Sequence, residues 1–280
     1  MHENGRLPSF QAYLFDLDGT IYQGDELLPE AQATIHSLRQ FGKGVMFITN
    51  ESARTREQTA QKLTRMGIPT EAAHVFTPTQ ALIDMLHQRC STQRIYLIGE
   101  EPLRRDLVQA GFQPVEDAES VSAVIVSNDY DFHYRKLKLA HQAIRRGALF
   151  FATNADRLII HANGEEDPDA LPLISAVQAS TRKDLDGMAG KPSPAMAFSA
   201  LRLLGLPPED CLLVGDNLET DILMGSRCGM KTALVLTGAS CRRHLAQAPA
   251  SPDYILETLE SLQSDTEREL PNQGVVHPNS

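Results

Sequence analysis

Apolar runs of strand length alternate with amphipathic stretches of helical spacing along almost the whole chain. That alternation predicts an α/β architecture built on a mostly parallel sheet. Tyr13-Leu14-Phe15 is the first such run, and Ala31, Ile35, Leu38 and Phe41 then fall at helical spacing within 29–41. Gly42 and Gly44 stop that helix, and 45–48 reads as a second buried strand ending at Thr49-Asn50. Thr55 and Gln58 have the spacing of a capping box for the next helix, which Gly67 ends after Met66. From about Pro78 the pattern starts over, with helices predicted over 79–89, 102–110 and 133–146 and strands over 94–98, 123–127 and 149–152. After Lys191 the βα units return, as helices over 193–204 and 220–228 and strands over 211–214 and 232–236. The expected organisation is a discontinuous core of 1–78 and 188–263, an inserted α/β layer of 79–187, and a polar, aperiodic tail of 264–280.

Composition narrows the classes of function. The 280 residues carry 26 Lys+Arg against 36 Asp+Glu, a formal charge of −10, with no basic block. Nucleic acid is therefore not an expected partner, although a local basic pocket for phosphate fits the same totals. No apolar run approaches the roughly 18 residues of a membrane span, so no membrane partner is expected. Cys90, Cys211, Cys228 and Cys241 lack C-x-x-C spacing and read as reduced thiols. With a polar stretch at 1–11, they make the cytoplasm the expected location.

Four short motifs sit where strands or helices meet loops. Asp16-Leu17-Asp18-Gly19-Thr20 ends the first strand. In an extended chain residues i and i+2 point the same way, so Asp16 and Asp18 are expected to present two carboxylates together at the carboxyl end of a sheet strand. Two like charges so close call for a cation or a difference in protonation. The ordinary alternative is a strand-ending turn, because Asp and Gly are common turn formers. Thr49-Asn50 offers a hydroxyl, an amide and loop N–H groups after the second strand. Lys191, in Gly190-Lys191-Pro192-Ser193-Pro194, stands just before a helix, where its charge and the helix N-terminus suit an anion. Gly215-Asp216-Asn217 follows another strand, with Asp221 in the helix after it. Singly, Thr49 reads as a cap, Lys191 as a solvated charge, and Asp216 and Asp221 as helix-dipole partners. Jointly, an acidic cluster with one lysine is what a magnesium-bound phosphate ester requires. His74, His87, His133, His141, His161 and His244 share no ligand spacing and read as structural or surface residues. No G-x-S-x-G, Walker A or G-x-G-x-x-G pattern occurs.

In order and in residue type, Asp16–Thr20, Ile48-Thr49-Asn50, Gly190-Lys191-Pro192 and Gly215–Asp221 resemble the four motifs of the haloacid-dehalogenase-like (HAD) phosphohydrolase superfamily. The stretch between Asn50 and Lys191 is far longer than one crossover needs. An insert in that place resembles the NagD-like, p-nitrophenylphosphatase-like branch with its α/β cap. Asp131–Leu137, Phe151–Asp156 and Gly229–Gly238 resemble sequences of the same branch, although Glu51 stands where the branch often has a second Asn. The resemblance implies a Rossmann-like core with a smaller inserted cap, and a Mg²⁺-dependent phosphatase of small phosphorylated metabolites such as sugar phosphates or nucleoside monophosphates. Carried over, Asp16 is the nucleophile that forms an aspartyl-phosphate, and Asp18 is the acid and then the base. Thr49, Asn50 and Lys191 bind the phosphoryl group. Asp16, the Asp18 backbone carbonyl and Asp216 hold Mg²⁺, supported by Asn217 and Asp221. Asp131, Tyr134, Asn154 and Asp156 become candidates for substrate selection, and a homo-oligomer meeting through the cap is implied. A phosphomutase and a non-catalytic phospho-ligand sensor are the alternatives; the intact Asp16/Asp18 pair speaks against the sensor.

Overall fold

The computed structural model describes residues 7–51, 54–160 and 165–262, so the expected tail at 264–280 and His161 lie outside the described residues. The first third runs β1 (Ala12–Phe15), a hairpin of β2 (Tyr22–Gln23) and β3 (Glu26–Leu27), α1 (Ala31–Gln40), β4 (Gly44–Ile48), α2 (Arg56–Arg65) and β5 (Val75–Phe76). The middle runs α3 (Pro78–Arg89), β6 (Arg94–Ile98), α4 (Glu101–Gln109), β7 (Gln113–Pro114), β8 (Ala123–Val126), α5 (Tyr134–Arg145) and β9 (Leu149–Ala152). It continues with a second hairpin, β10 (Leu158–Ile160) and β11 (Glu166–Pro168), then α6 (Ala170–Thr181) and β12 (Gly187–Met188). The last part holds α7 (Ala195–Leu204), β13 (Cys211–Gly215), α8 (Leu223–Cys228), β14 (Lys231–Val235) and β15 (Tyr254–Leu256).

Two parallel sheets result. The larger has the order β15-β14-β13-β1-β4-β5 and the smaller the order β12-β9-β8-β6-β7. All four residues of β1 are buried, as expected of a central parallel strand covered on both faces. Alternation then sorts its side chains. Ala12 and Leu14 join Met46, Cys211 and Leu213 on one face, under α7 and α8. Tyr13 and Phe15 join Phe47, Leu212 and Val214 on the other, under α1 and α2.

The first of these apolar layers does not stop at the larger sheet. Leu82 and Leu86 of α3 carry it onto Leu97, Ile125 and Phe151 of the smaller one. Each such side chain contributes about 1.5–3 kcal/mol when removed from water, so this seam ties the inserted layer to the core along a packed face. The far face of the smaller sheet (Tyr96, Val124 and Phe150) is covered by Ala140 and Ile144 of α5 and by Ile174 and Val177 of α6.

Local signals explain most elements. Thr55 and Gln58 do form a capping box, with the Gln58 N–H donating to Thr55 Oγ1 at 3.3 Å and the Thr55 N–H to Gln58 Oε1 at 2.9 Å. Gly67, at φ +90°, follows that helix in the left-handed conformation. Helix α6 has no counterpart in the sequence reading. Pro172 masks it, yet a proline in the first helical turn removes an N–H that has no intrahelical partner. The helix expected over 220–228 opens instead as a π-helical turn, Leu218–Ile222, before α8 begins. Among the described residues no helix is long and apolar enough to cross a membrane.

Candidate active site

In the larger sheet the chain moves from β1 outward to β4 and β5, then returns to the other side of β1 with β13. The reversal between β1 and β13 makes a crevice at the carboxyl ends of those strands, where open α/β sheets bind ligands. Asp16 directly follows β1, its N–H still donating to Val214 O at 2.9 Å, and Asp216 directly follows β13. Glycine is required around them. Side chains at Gly19, which has φ +82°, and at Gly238 would both run into the Asp216 carboxylate, and one at Gly215 into Asp221.

Asp16, Asp216 and Asp221 are all buried, and carboxylate oxygens from the three lie within 4.8 Å of one another. Lys191 reaches into this group. Its Nζ pairs with Asp16 Oδ1 and lies 2.8 Å from Asp221 Oδ1. Burial pushes the Asp16 carboxyl well above the usual range; Lys191 opposes that rise, while Asp221 and Asp216 add to it. Burial, and next the Asp221 charge, push Asp216 to about 6 against a donated Ala239 N–H at 2.5 Å. Burial alone would lower Lys191, but Asp16 and Asp221 hold its ammonium above the ordinary lysine value. One ammonium facing three buried carboxyls leaves the cluster short of positive charge. A hard divalent cation with oxygen ligands fits that donor set.

The sequence reading set Asp18 beside Asp16 as a second carboxylate of this group. The structure separates them because the strand ends at Phe15 and the chain turns through Gly19, so the period-two argument does not apply. Asp18 is exposed, outside the three-carboxylate cluster, and its backbone bridges to Tyr22 instead. The surrounding protein still shields the carboxyl enough to raise its pKa; Lys62 lowers it and Glu51 raises it further. Asp221, expected only to support the loop, stands inside the cluster.

Thr49 and Asn50 leave the carboxyl end of β4. Thr49 Oγ1 accepts the Glu51 N–H at 3.0 Å. Asn50 Oδ1 accepts the Lys191 N–H at 2.8 Å, while Nδ2 donates to Lys191 O at 3.2 Å and to Asp156 Oδ2 at 3.1 Å. Both amide hydrogens of Asn50 are thereby occupied, and its side chain works as a brace for the Lys191 loop. From the inserted layer, Asn154 Nδ2 donates to Asn50 O at 3.0 Å. Behind it, burial raises Asp156, and burial followed by the Asp156 charge pushes Asp169 to about 6. The other two selection candidates stand elsewhere. Asp131 is exposed and pairs with Lys136 at 3.4 Å, and Tyr134 is 79% exposed.

Asn217 caps the π-helical turn by accepting the Glu219 N–H at 2.9 Å, and its own N–H donates to Asp221 Oδ2 at 3.1 Å. Residues the sequence reading left without a role complete the support. Ser240 Oγ accepts the Leu218 N–H at 3.1 Å, and the Ser240 N–H donates to Asp216 O at 3.0 Å. Gly238 was the available signal, since a glycine just before Ala239 and Ser240 lets their two N–H groups approach Asp216 closely.

Two family profiles match the chain, one described as haloacid dehalogenase-like hydrolase over residues 13–113 and one as HAD-hydrolase-like over 188–262. The sugar-phosphatase AraL of Bacillus subtilis is 32% identical over 89% of this chain and 90% of its own length. The 5′-nucleotidase YutF of the same organism is 34% identical over 90% of this chain and 97% of its own. A p-nitrophenyl phosphatase from Archaeoglobus fulgidus superposes with a TM-score of 0.84 at 28% identity, covering 92% of this chain and 99% of that one. A glycerol phosphate phosphatase from Mycobacterium tuberculosis, solved in complex with magnesium, superposes with a TM-score of 0.83 at 28% identity, covering 92% of this chain and 78% of that one. With four motifs meeting at the switch point of the larger sheet and matches of this length, the chain belongs to the haloacid dehalogenase-like hydrolase family, in its NagD-like, p-nitrophenylphosphatase-like branch.

Proposed function

We propose that this phosphoric monoester hydrolase acts on small phosphomonoesters, sugar phosphates or nucleoside monophosphates, with Mg²⁺ bound and through an aspartyl-phosphate on Asp16. The observation that carries the reading is the buried group of Asp16, Asp216 and Asp221 closed by a single lysine. Asp16, Asp216 and the Asp18 backbone carbonyl would hold the ion, with Asp221 beside them. When bound, the ion supplies positive charge against both the carboxylates and the phosphoryl oxygens. The magnesium-bound solved relative supports that choice of metal.

An Asp16 carboxylate oxygen attacks phosphorus, and the bond from phosphorus to the leaving oxygen breaks. Asp18 gives its proton to that oxygen, so the alcohol leaves neutral. Asp18, now ionised, takes a proton from water as the water oxygen attacks phosphorus; the bond to Asp16 breaks and phosphate departs. Lys191 holds Asp16 in place and opposes charge growing on the phosphoryl oxygens, joined by the Thr49 hydroxyl. The apolar seam through α3 supports a fixed roof over the crevice, contributed by the inserted layer. Four free thiols support a cytoplasmic location.

The test is phosphate release by the purified full chain with Mg²⁺ across sugar phosphates, nucleoside monophosphates and p-nitrophenyl phosphate. Asp16→Asn should lose turnover by about 10³-fold or more with its circular dichroism unchanged. Substantial turnover left in that variant would remove Asp16 as the nucleophile.

A further inference from the structure

Lys62 is 7% exposed, although it lies on α2, a helix whose outer face meets solvent. Lysine is almost never fully buried without a partner, so its surroundings require an explanation. Its Nζ donates to Gly24 O at 2.7 Å and stands 3.8 Å from the centroid of the Tyr22 ring. Its ion pair is with Asp25 at 3.5 Å, a carboxylate 91% exposed and therefore a weak anchor. A carbonyl and an aromatic face thus do most of the holding.

The same two residues, through their backbones, are the ones the β2–β3 hairpin sets against Asp18. Tyr22 forms the backbone bridge to Asp18, and its carbonyl accepts the Gly19 N–H at 2.8 Å. Gly24 occupies the hairpin turn at φ +58°; burial raises the Asp18 carboxyl, and Lys62, then the Gly24 backbone, favour its ionised form. The other charges facing that carboxylate are Glu51 and Arg54, which pair with each other at 2.5 Å. Among the described residues, Lys62 is therefore the one cation that touches both of the hairpin residues set against Asp18.

We propose that Lys62 is a positioning residue that acts through Gly24 and Tyr22 to aim the Asp18 carboxyl at the leaving-group oxygen. The inference rests on the reading of Asp18 as the leaving-group acid. A lysine that merely ties the hairpin to α2 would make the same contacts, so the decisive readout is leaving-group dependence. A well-aimed acid matters when the departing oxygen is basic and matters little when it is already a stable anion.

The experiment compares kcat/KM for phenyl phosphate and p-nitrophenyl phosphate, which differ in leaving-group basicity and little in shape. Asp18→Asn is the reference and should lose about tenfold more on phenyl phosphate than on p-nitrophenyl phosphate, within the range for general acids. Lys62→Met should reproduce that selective loss, and Lys62→Arg, which keeps the charge and the donors, should recover most of it. If Lys62→Met does not fold, Lys62→Gln retains a donor for Gly24 O without the charge and is measured the same way. Equal losses on both esters, or none, beside a selective loss in Asp18→Asn, overturn the role of Lys62. An Asp18→Asn variant without selectivity removes the acid role itself, and the inference falls with that reading.

Discussion

Asp169 is buried where β11 ends, and its carboxyl is crowded by the Asp156 charge. Its pKa rises on folding from an ordinary 3.8 to about 6, mainly through burial. A carboxyl raised in this way is bound to its proton more tightly in the folded chain than in the unfolded one. Its contribution is therefore fully present below pH 4 and lost as pH rises through about 6. Once ionised, it costs the folded state about 3 kcal/mol. Asp169→Asn keeps the shape and an acceptor oxygen while removing the charge. At pH 8 the variant should be more stable than the parent by up to about 3 kcal/mol, and at pH 4 the two should nearly coincide. Urea unfolding at pH 4, 6 and 8, with equal slopes, measures the difference. A gain that does not change with pH, or a variant weaker at pH 8, would refute the argument from buried charge.

Two further outcomes test the site. Lys191→Met leaves Asp16, Asp216 and Asp221 without their ammonium and should destabilise the chain by about 3–5 kcal/mol in chelator. Added Mg²⁺ should raise its melting temperature more than the parent's, as followed by thermal unfolding. Gly238→Ala places a methyl group against the Asp216 carboxylate and should weaken divalent-cation binding by about 10–100-fold, measured by calorimetric titration.

Features of period two to four residues were legible in the chain. The strands Arg94–Ile98 and Leu149–Ala152, the box at Thr55 and Gln58, and the order of the four motifs follow from neighbouring residues acting on one another. Helix α6 escaped because its window is apolar almost all round and carries Pro172 early, so no stripe stood out. The π-helical turn at Leu218–Ile222 escaped because an i+5 bond leaves the same pattern of residue types as an ordinary first turn.

The sequence by itself determined which groups would stand at strand ends, because alternation and turn chemistry are properties of adjacent residues. Which of those groups meet was decided only by the tertiary structure. Lys191 and Asp16 are 175 residues apart in the chain; β4 pairs with β1, and Asn50 at the end of β4 holds the Lys191 backbone beside the Asp16 loop. Pairing of β1 with β13 put Asp221 inside the acidic group, the turn through Gly19 took Asp18 out toward Lys62, and Asn50 became the brace of the lysine loop. Such meetings depend on sheet register and on the turn after each strand. Neither is written in the spacing of any one motif.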